Sequence, residues 1–153
     1  MKRLRTLLVD DNQAFLALSK HLLTPMDGVE VIGFGYDGFD AVRLAEELHP
    51  DLIIMDLVMP GMGGLQATRL IKAQHQPPQI VIASYYDDAE HREHAAAAGA
   101  DGFVVARGSL KEGRFVAVYG REGRCIAAVA FDCARWLPTY AEHIAAGAPF
   151  PPE

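Results

Sequence analysis

Apolar runs and helix-period stretches alternate along the first two thirds of the chain. The runs at about 5–9, 29–33, 51–56, 79–83 and 101–106, among them Leu7-Leu8-Val9, Leu52-Ile53-Ile54-Met55 and Ile80-Val81-Ile82-Ala83, have the length and side chains of buried strands. Between them helical patterns cover about 12–24, 37–48, 64–75 and 87–98. Leu16, Ser19, Lys20 and Leu23 mark two faces of the first helix, and Val42, Leu44, Ala45 and Leu48 give the second its apolar side. Pro25, Pro50 and Pro77-Pro78 punctuate helix ends, because proline lacks the N–H a helix interior needs. Strands alternating with helices predict an α/β domain to residue 106, a parallel sheet covered by helices on both faces.

The pattern then changes. Gly108 opens a polar turn, residues 114–120 alternate like a strand, Arg121-Glu122-Gly123 reads as a turn, and 125–131 as a second strand. These predict a β-hairpin, followed by a helix over 136–146 that stops at Gly147 before Pro149, Pro151 and Pro152. A domain of residues 1–106 with an appendage of 107–153 is the expected division. A fifth helix would ordinarily follow the fifth strand directly; the expectation is that the helix at 136–146 docks in its place.

Composition narrows the class. The 153 residues are 50% hydrophobic and 22% charged, as in an ordinary globular domain. A net charge of −6 opposes nonspecific nucleic-acid binding, which needs a concentrated basic surface. Met1-Lys2-Arg3-Leu4-Arg5 looks like the start of a signal peptide, but the apolar stretch after it ends at Asp10. No stretch is long enough to span a membrane, so a cytoplasmic location without membrane contact is expected. Cys125 and Cys133 have no metal-site spacing and read as small buried hydrophobes.

The chemistry gathers at the strand ends. Asp10 and Asp11 close the first strand and Asp56 closes the third. Ligands of open α/β sheets bind just outside the carboxyl ends of the strands. Carboxylates crowded there repel one another unless a cation sits among them, and Mg²⁺, held by one or two carboxylates with water and phosphate, suits the site. The turn Met59-Pro60-Gly61-Met62-Gly63-Gly64 lets the chain approach a ligand and offers a backbone carbonyl. Ser84 ends the fourth run with a hydroxyl able to donate to a phosphoryl oxygen, and Phe103 on the fifth strand can face the same crevice. Either Asp10 or Asp11 alone could be a helix cap; a pair matched by Asp56 on another strand points to a site.

Val9-Asp10-Asp11-Asn12, residues 51–56, Met59-Pro60-Gly61-Met62, Ser84 and Gly99-Ala100-Asp101-Gly102-Phe103 together resemble the receiver domain of two-component response regulators. The resemblance covers about residues 1–106. It implies a flavodoxin-like, doubly wound five-stranded sheet of order 2-1-3-4-5. It also implies Asp56 as phosphoacceptor for a histidine kinase, with Asp10, Asp11, Asp56 and the Val58 carbonyl holding Mg²⁺. Ser84 would bond the phosphoryl group and Phe103 would be the switch aromatic. Such a chain is no conventional enzyme: it phosphorylates itself at most. Output would pass to a downstream protein target through the face of the fourth helix and fifth strand, or through a homodimer, with no direct nucleic-acid contact.

Two positions depart from the family. Its lysine, three residues after the strand-five aromatic, falls here on Ala106; Arg107, next door, is the candidate substitute, but only if the strand bulges, since neighbouring strand residues face opposite ways. Tyr85 stands where a small residue is usual. These departures support an alternative, a degenerate receiver that binds a partner without being phosphorylated.

Residues 107–110 and 113–124, with 127–131 and 146–150, resemble the C-terminal domain of FAD-dependent ferredoxin reductases over about residues 107–153. No FAD- or NAD-binding part of those enzymes is recognisable, so the likeness implies a packing module. Gly33-Phe34-Gly35-Tyr36-Asp37-Gly38 fits the outline of a dinucleotide fingerprint, the least favoured reading, because helix two should start near Asp37 with Gly38 inside it. His91 and His94 share a helix face but lack a third metal ligand. Tyr85-Tyr86 reads as a partly exposed aromatic pair, and Trp136 and Tyr140 as anchors of the last helix.

Overall fold

The computed structural model describes residues 2–84, 89–109, 114–121, 124–131, 135 and 137–149. Strands β1 (Leu4–Val9), β2 (Val29–Gly35), β3 (Leu52–Asp56), β4 (Gln79–Ser84) and β5 (Gly102–Ser109) alternate with helices α1 (Gln13–Leu23), α2 (Gly38–Leu48), α3 (Gly64–Lys72) and α4 (Ala89–Ala98). After them come β6 (Arg114–Arg121), β7 (Arg124–Phe131) and α5 (Leu137–Ala145). The sheet order is β2-β1-β3-β4-β5-β6-β7. Its first five strands are parallel, in the doubly wound flavodoxin-like order expected. The hairpin adds two antiparallel strands to the same sheet.

Helix ends follow from local chemistry. The Asn12 side chain accepts from the Phe15 N–H (3.1 Å) and caps α1, which frees Asp10 and Asp11 from that duty. Asp37 caps α2 by accepting from the Asp40 N–H at 2.8 Å. At the far end of α2, His49 adopts a left-handed conformation (φ 46°) before Pro50.

Strand alternation sorts the side chains onto two faces. Ile53, Met55, Ile80, Ile82 and Phe103 join a buried core with Ala41 and Ala45 of α2, Ala67 and Ile71 of α3, and Ala95 of α4. The intervening Leu52, Ile54, Val81, Ala83 and Val104 face a trough beside α1. Two other motif aspartates hold the strands' entry points. The Asp51 carboxylate accepts from the Arg5 N–H (2.9 Å), and that of Asp101 accepts from the Ile80 N–H (2.8 Å) while pairing with Lys72.

One expectation is corrected here. The last helix does not take the place beside α1. It packs on β7, with Tyr140 and Ile144 against the core cluster that contains Val116, Val118 and Cys125 on the α2–α4 face. The hairpin accounts for this, since it carries the chain two strands beyond β5 before the helix begins. An antiparallel bridge of Arg124 with Pro149 then holds the returning segment, through the Cys125 N–H donating to the Ala148 carbonyl at 3.0 Å. Cys125 is buried and not in a disulfide. Cys133, Trp136, Tyr85, Tyr86 and the turn residues Glu122 and Gly123 lie outside the described residues. No helix among the described residues is long and apolar enough to cross a membrane.

Candidate functional site: an acidic triad at the strand ends

β1 and β3 are adjacent parallel strands, with Val9 opposite Met55 in register. Their carboxyl ends therefore deliver Asp10, Asp11 and Asp56 to one place. One carboxylate oxygen from each lies within 4.8 Å of the others. Among the described residues this is the single group of three His, Cys, Asp or Glu side chains that could converge on one metal ion; His91 and His94 belong to no such group.

The electrostatics are those of an acidic crevice. Asp10, 8% exposed, is pushed up to about 6, mainly by burial and further by Asp11, against the Asn12 N–H that donates to it at 2.7 Å. Asp56 is pushed up to about 7 by burial and then by the charge of Asp10, although the Leu57 N–H donates to it at 2.8 Å. Two carboxyls raised first by burial and further by a neighbouring carboxylate mark a place where a cation would relieve the cost of ionisation. All three donors are hard oxygens, which fits Mg²⁺.

The turn after β3 is built tightly around the triad. The Gly64 N–H donates to the Leu57 carbonyl at 2.9 Å, and a Cβ on Gly64 would collide with the Asp56 carbonyl oxygen. Gly38 likewise donates to the Met62 carbonyl (2.9 Å), and a Cβ there would strike that oxygen. Gly38 thus serves α2–α3 packing. The Tyr36 and Asp40 amides are taken by the Asp40 and Asp37 carboxylates at 3.0 and 2.8 Å. Gly33 and Gly35 lie within β2, and the Tyr36, Gly38 and Asp40 amides are already taken by acidic side chains and the Met62 carbonyl.

Ser84 (6% exposed) ends β4, and Phe103 (5%) lies on β5 opposite Ile82. By alternation both belong to the α2–α4 face. The β5–β6 ladder runs in continuous register from Phe103 to Ser109, pairing Ala106 with Ala117 and Arg107 with Val116. The ladder contains no bulge at Arg107; the Ala106 and Arg107 side chains lie outside the described residues. Nothing in the residue pattern signals the trough beside α1, because its lining reads as ordinary core.

Comparison with known proteins agrees with this geometry. The response regulator receiver domain family matches residues 6–112. The chain is 36% identical over 109 residues to the transcriptional regulatory protein LiaR of Bacillus subtilis, covering 71% of this chain and 52% of that one. It is 38% identical over 106 residues to a protein-glutamate methylesterase/protein-glutamine glutaminase of Alkalilimnicola ehrlichii, covering 69% of this chain and 27% of that one. Among solved structures, a LuxR-family two-component response regulator from Aurantimonas superposes with a TM-score of 0.64 at 32% identity, covering 67% of this chain and 73% of that one. The chain spans about half the length, or less, of these curated relatives.

Proposed function

The chain belongs to the response regulator receiver family, and we propose that it accepts a phosphoryl group on Asp56 from a histidine kinase. The observation that supports this most is the convergence of Asp10, Asp11 and Asp56 at the carboxyl ends of adjacent strands. In this reading the Asp56 carboxylate attacks phosphorus of a histidine phosphoramidate; an O–P bond forms as the N–P bond breaks and the imidazole leaves. Asp10, Asp11, Asp56 and the Val58 carbonyl would hold Mg²⁺, which supplies charge neutralisation to the crowded carboxylates and the transferring group. The protein's share is positioning: strand register fixes Asp56, and the Leu57 N–H fixes its carboxylate. Ser84 would donate to the new phosphoryl group, with Phe103 filling space behind it.

The relatives include transcriptional regulators whose length this chain only partly spans, so their DNA-related output stays theirs. For these residues the proposed output is protein contact in the cytoplasm. Residues 107–153 are proposed as a packing appendage, with β6 and β7 extending the sheet beyond β5.

A second reading, the phosphorylation-independent binding module, is favoured by one observation. Ala106 sits at the lysine position, and the unbulged ladder leaves Arg107 one register step away. Incubation with acetyl phosphate and Mg²⁺ followed by intact mass separates the two. A gain of one phosphoryl group that disappears in Asp56→Asn supports the phosphoacceptor. No adduct under conditions that label an ordinary receiver establishes the second reading.

A further inference from the structure

The sheet is apolar on both faces, yet among the described residues the face beside α1 has one helix where there is width for two. Strands lie about 4.8 Å apart, so β1, β3, β4, β5 and β6 span roughly 19 Å. One packed helix occupies about 10 Å of that. The remainder is a trough of about 510 Å³ floored by Leu52, Ile54, Val81, Ala83 and Val104. Phe15, Leu18 and Leu22 of α1 form one wall. Tyr119 forms the other, its ring lying over Gly102, where any Cβ would collide with it. The floor runs the length of β3, five residues or about 17 Å, which matches about three turns of helix.

The two ends of the trough differ in charge. Asp51, at the amino end of β3, is already engaged by the Arg5 N–H and Lys2. Asp10 and Asp56 line the carboxyl end, with Asp11 beside them. A cationic end is therefore wanted at the carboxyl end of the strands.

We propose that the trough is the docking site for an amphipathic helix of about three turns from a partner protein. The helix lies with its N-terminal end, carrying lysine or arginine, against Asp10 and Asp56. The positive pole of the helix and its basic side chains then both meet carboxylates, whereas the reverse orientation sets helix carbonyls against them. The protein's own helices do not meet this description. α5 is engaged on the opposite face; its first turn, Leu137-Pro138-Thr139-Tyr140, carries no lysine or arginine, and its basic residue, His143, is in the last turn. A second copy would also bring another net charge of −6 to an acidic trough.

The inference does not rest on phosphoryl transfer; the basic helix end and Mg²⁺ would compete for Asp10 and Asp56, so the test runs in EDTA. Three synthetic amphipathic peptides of leucine and alanine, capped at both ends, carry a lysine pair in the first turn, a lysine pair in the last turn, or a glutamate pair in the first turn. Each is titrated into the full chain by fluorescence anisotropy. The first should bind about tenfold or more tighter than the other two. Leu18→Gln and Val104→Gln should each weaken it by about tenfold while circular dichroism stays unchanged. Failure of the first peptide to bind, or equal binding of all three, overturns the proposal. So does a dimer of the chain alone, seen by sedimentation, that Val104→Gln dissolves, because the occupant is then a second copy.

Discussion

On one face of the sheet Ile53, Met55, Ile80 and Ile82 are wholly buried, while on the other Leu52, Ile54, Ala83 and Val104 keep part of their surface in water. The residue types and strands are the same; the difference lies in what covers them. α2, α3, α4 and, beyond β5, α5 close the first face, whereas among the described residues α1 stands alone over the second. Apolar strand sequence therefore tells which positions want burial without telling whether each receives it. Stability should reside on the closed face and adaptability on the open one.

The largest effect should come from a cavity on the closed face. Ile82→Ala removes a fully buried side chain from the core cluster on the α2–α4 face, and about 2–5 kcal/mol of stability should go with it. Ile54→Ala, in the neighbouring strand but facing the trough, should cost clearly less, because part of that side chain is already hydrated. Urea unfolding of both variants tests the comparison directly, and equal losses would break it.

The acidic site lies where the open face meets the strand ends, and it should be a local weakness. Asp10 and Asp56 titrate at about 6 and about 7 in the folded protein, against 3.8 for an unperturbed aspartate. A carboxyl raised by folding contributes stability that is fully present below its unfolded value and is lost as pH rises through the folded one. In EDTA the protein should therefore lose stability between about pH 4 and pH 7 through these two groups. Asp56→Asn keeps an acceptor for the Leu57 N–H and removes the buried charge. It should stabilise the fold at pH 8 by an amount on the order of 2 kcal/mol, after allowance for the water that reaches the site, and by nothing near pH 3.5. Thermal melts across that range read the sign. Destabilisation at pH 8 would show that the carboxylate is held by something other than the repulsive crevice described.

The comparison of faces also explains what could be read from sequence. Strand positions were legible because short apolar runs such as Leu7-Leu8-Val9 and Ile80-Val81-Ile82 alternate with helix-period stretches whose ends prolines mark; the strand order came from the resemblance to receiver domains. The triad was legible because carboxylates at two strand ends must meet when those strands pair. The structural duties of Asp51 and Asp101 were not, since their partners are backbone amides of Arg5 and Ile80, far away in sequence. Nor was the position of the last helix. Its side chains suit either face, and only the register of the β5–β6–β7 ladder, which carries the chain past β5, decides which face it reaches.

The finest test is a matched pair of near-isosteric changes. Val118, on β6, is fully buried within the core cluster that also receives Tyr140 and Ile144, and Val104, on β5, lines the trough. Exchanging either valine for threonine swaps a methyl for a hydroxyl at almost constant volume. At Val118 the hydroxyl enters an apolar setting, and about 1–3 kcal/mol should be lost. At Val104 water reaches the side chain, so the change should stay within about 0.5 kcal/mol. Because shape is held fixed, the gap between the two measures hydration of the faces alone. A Val104→Thr loss as large as that at Val118 would mean the trough is already covered in the isolated chain. Adding the lysine-first helical peptide should widen the Val104→Thr penalty and leave that of Val118→Thr unchanged, since only the open face acquires a new cover.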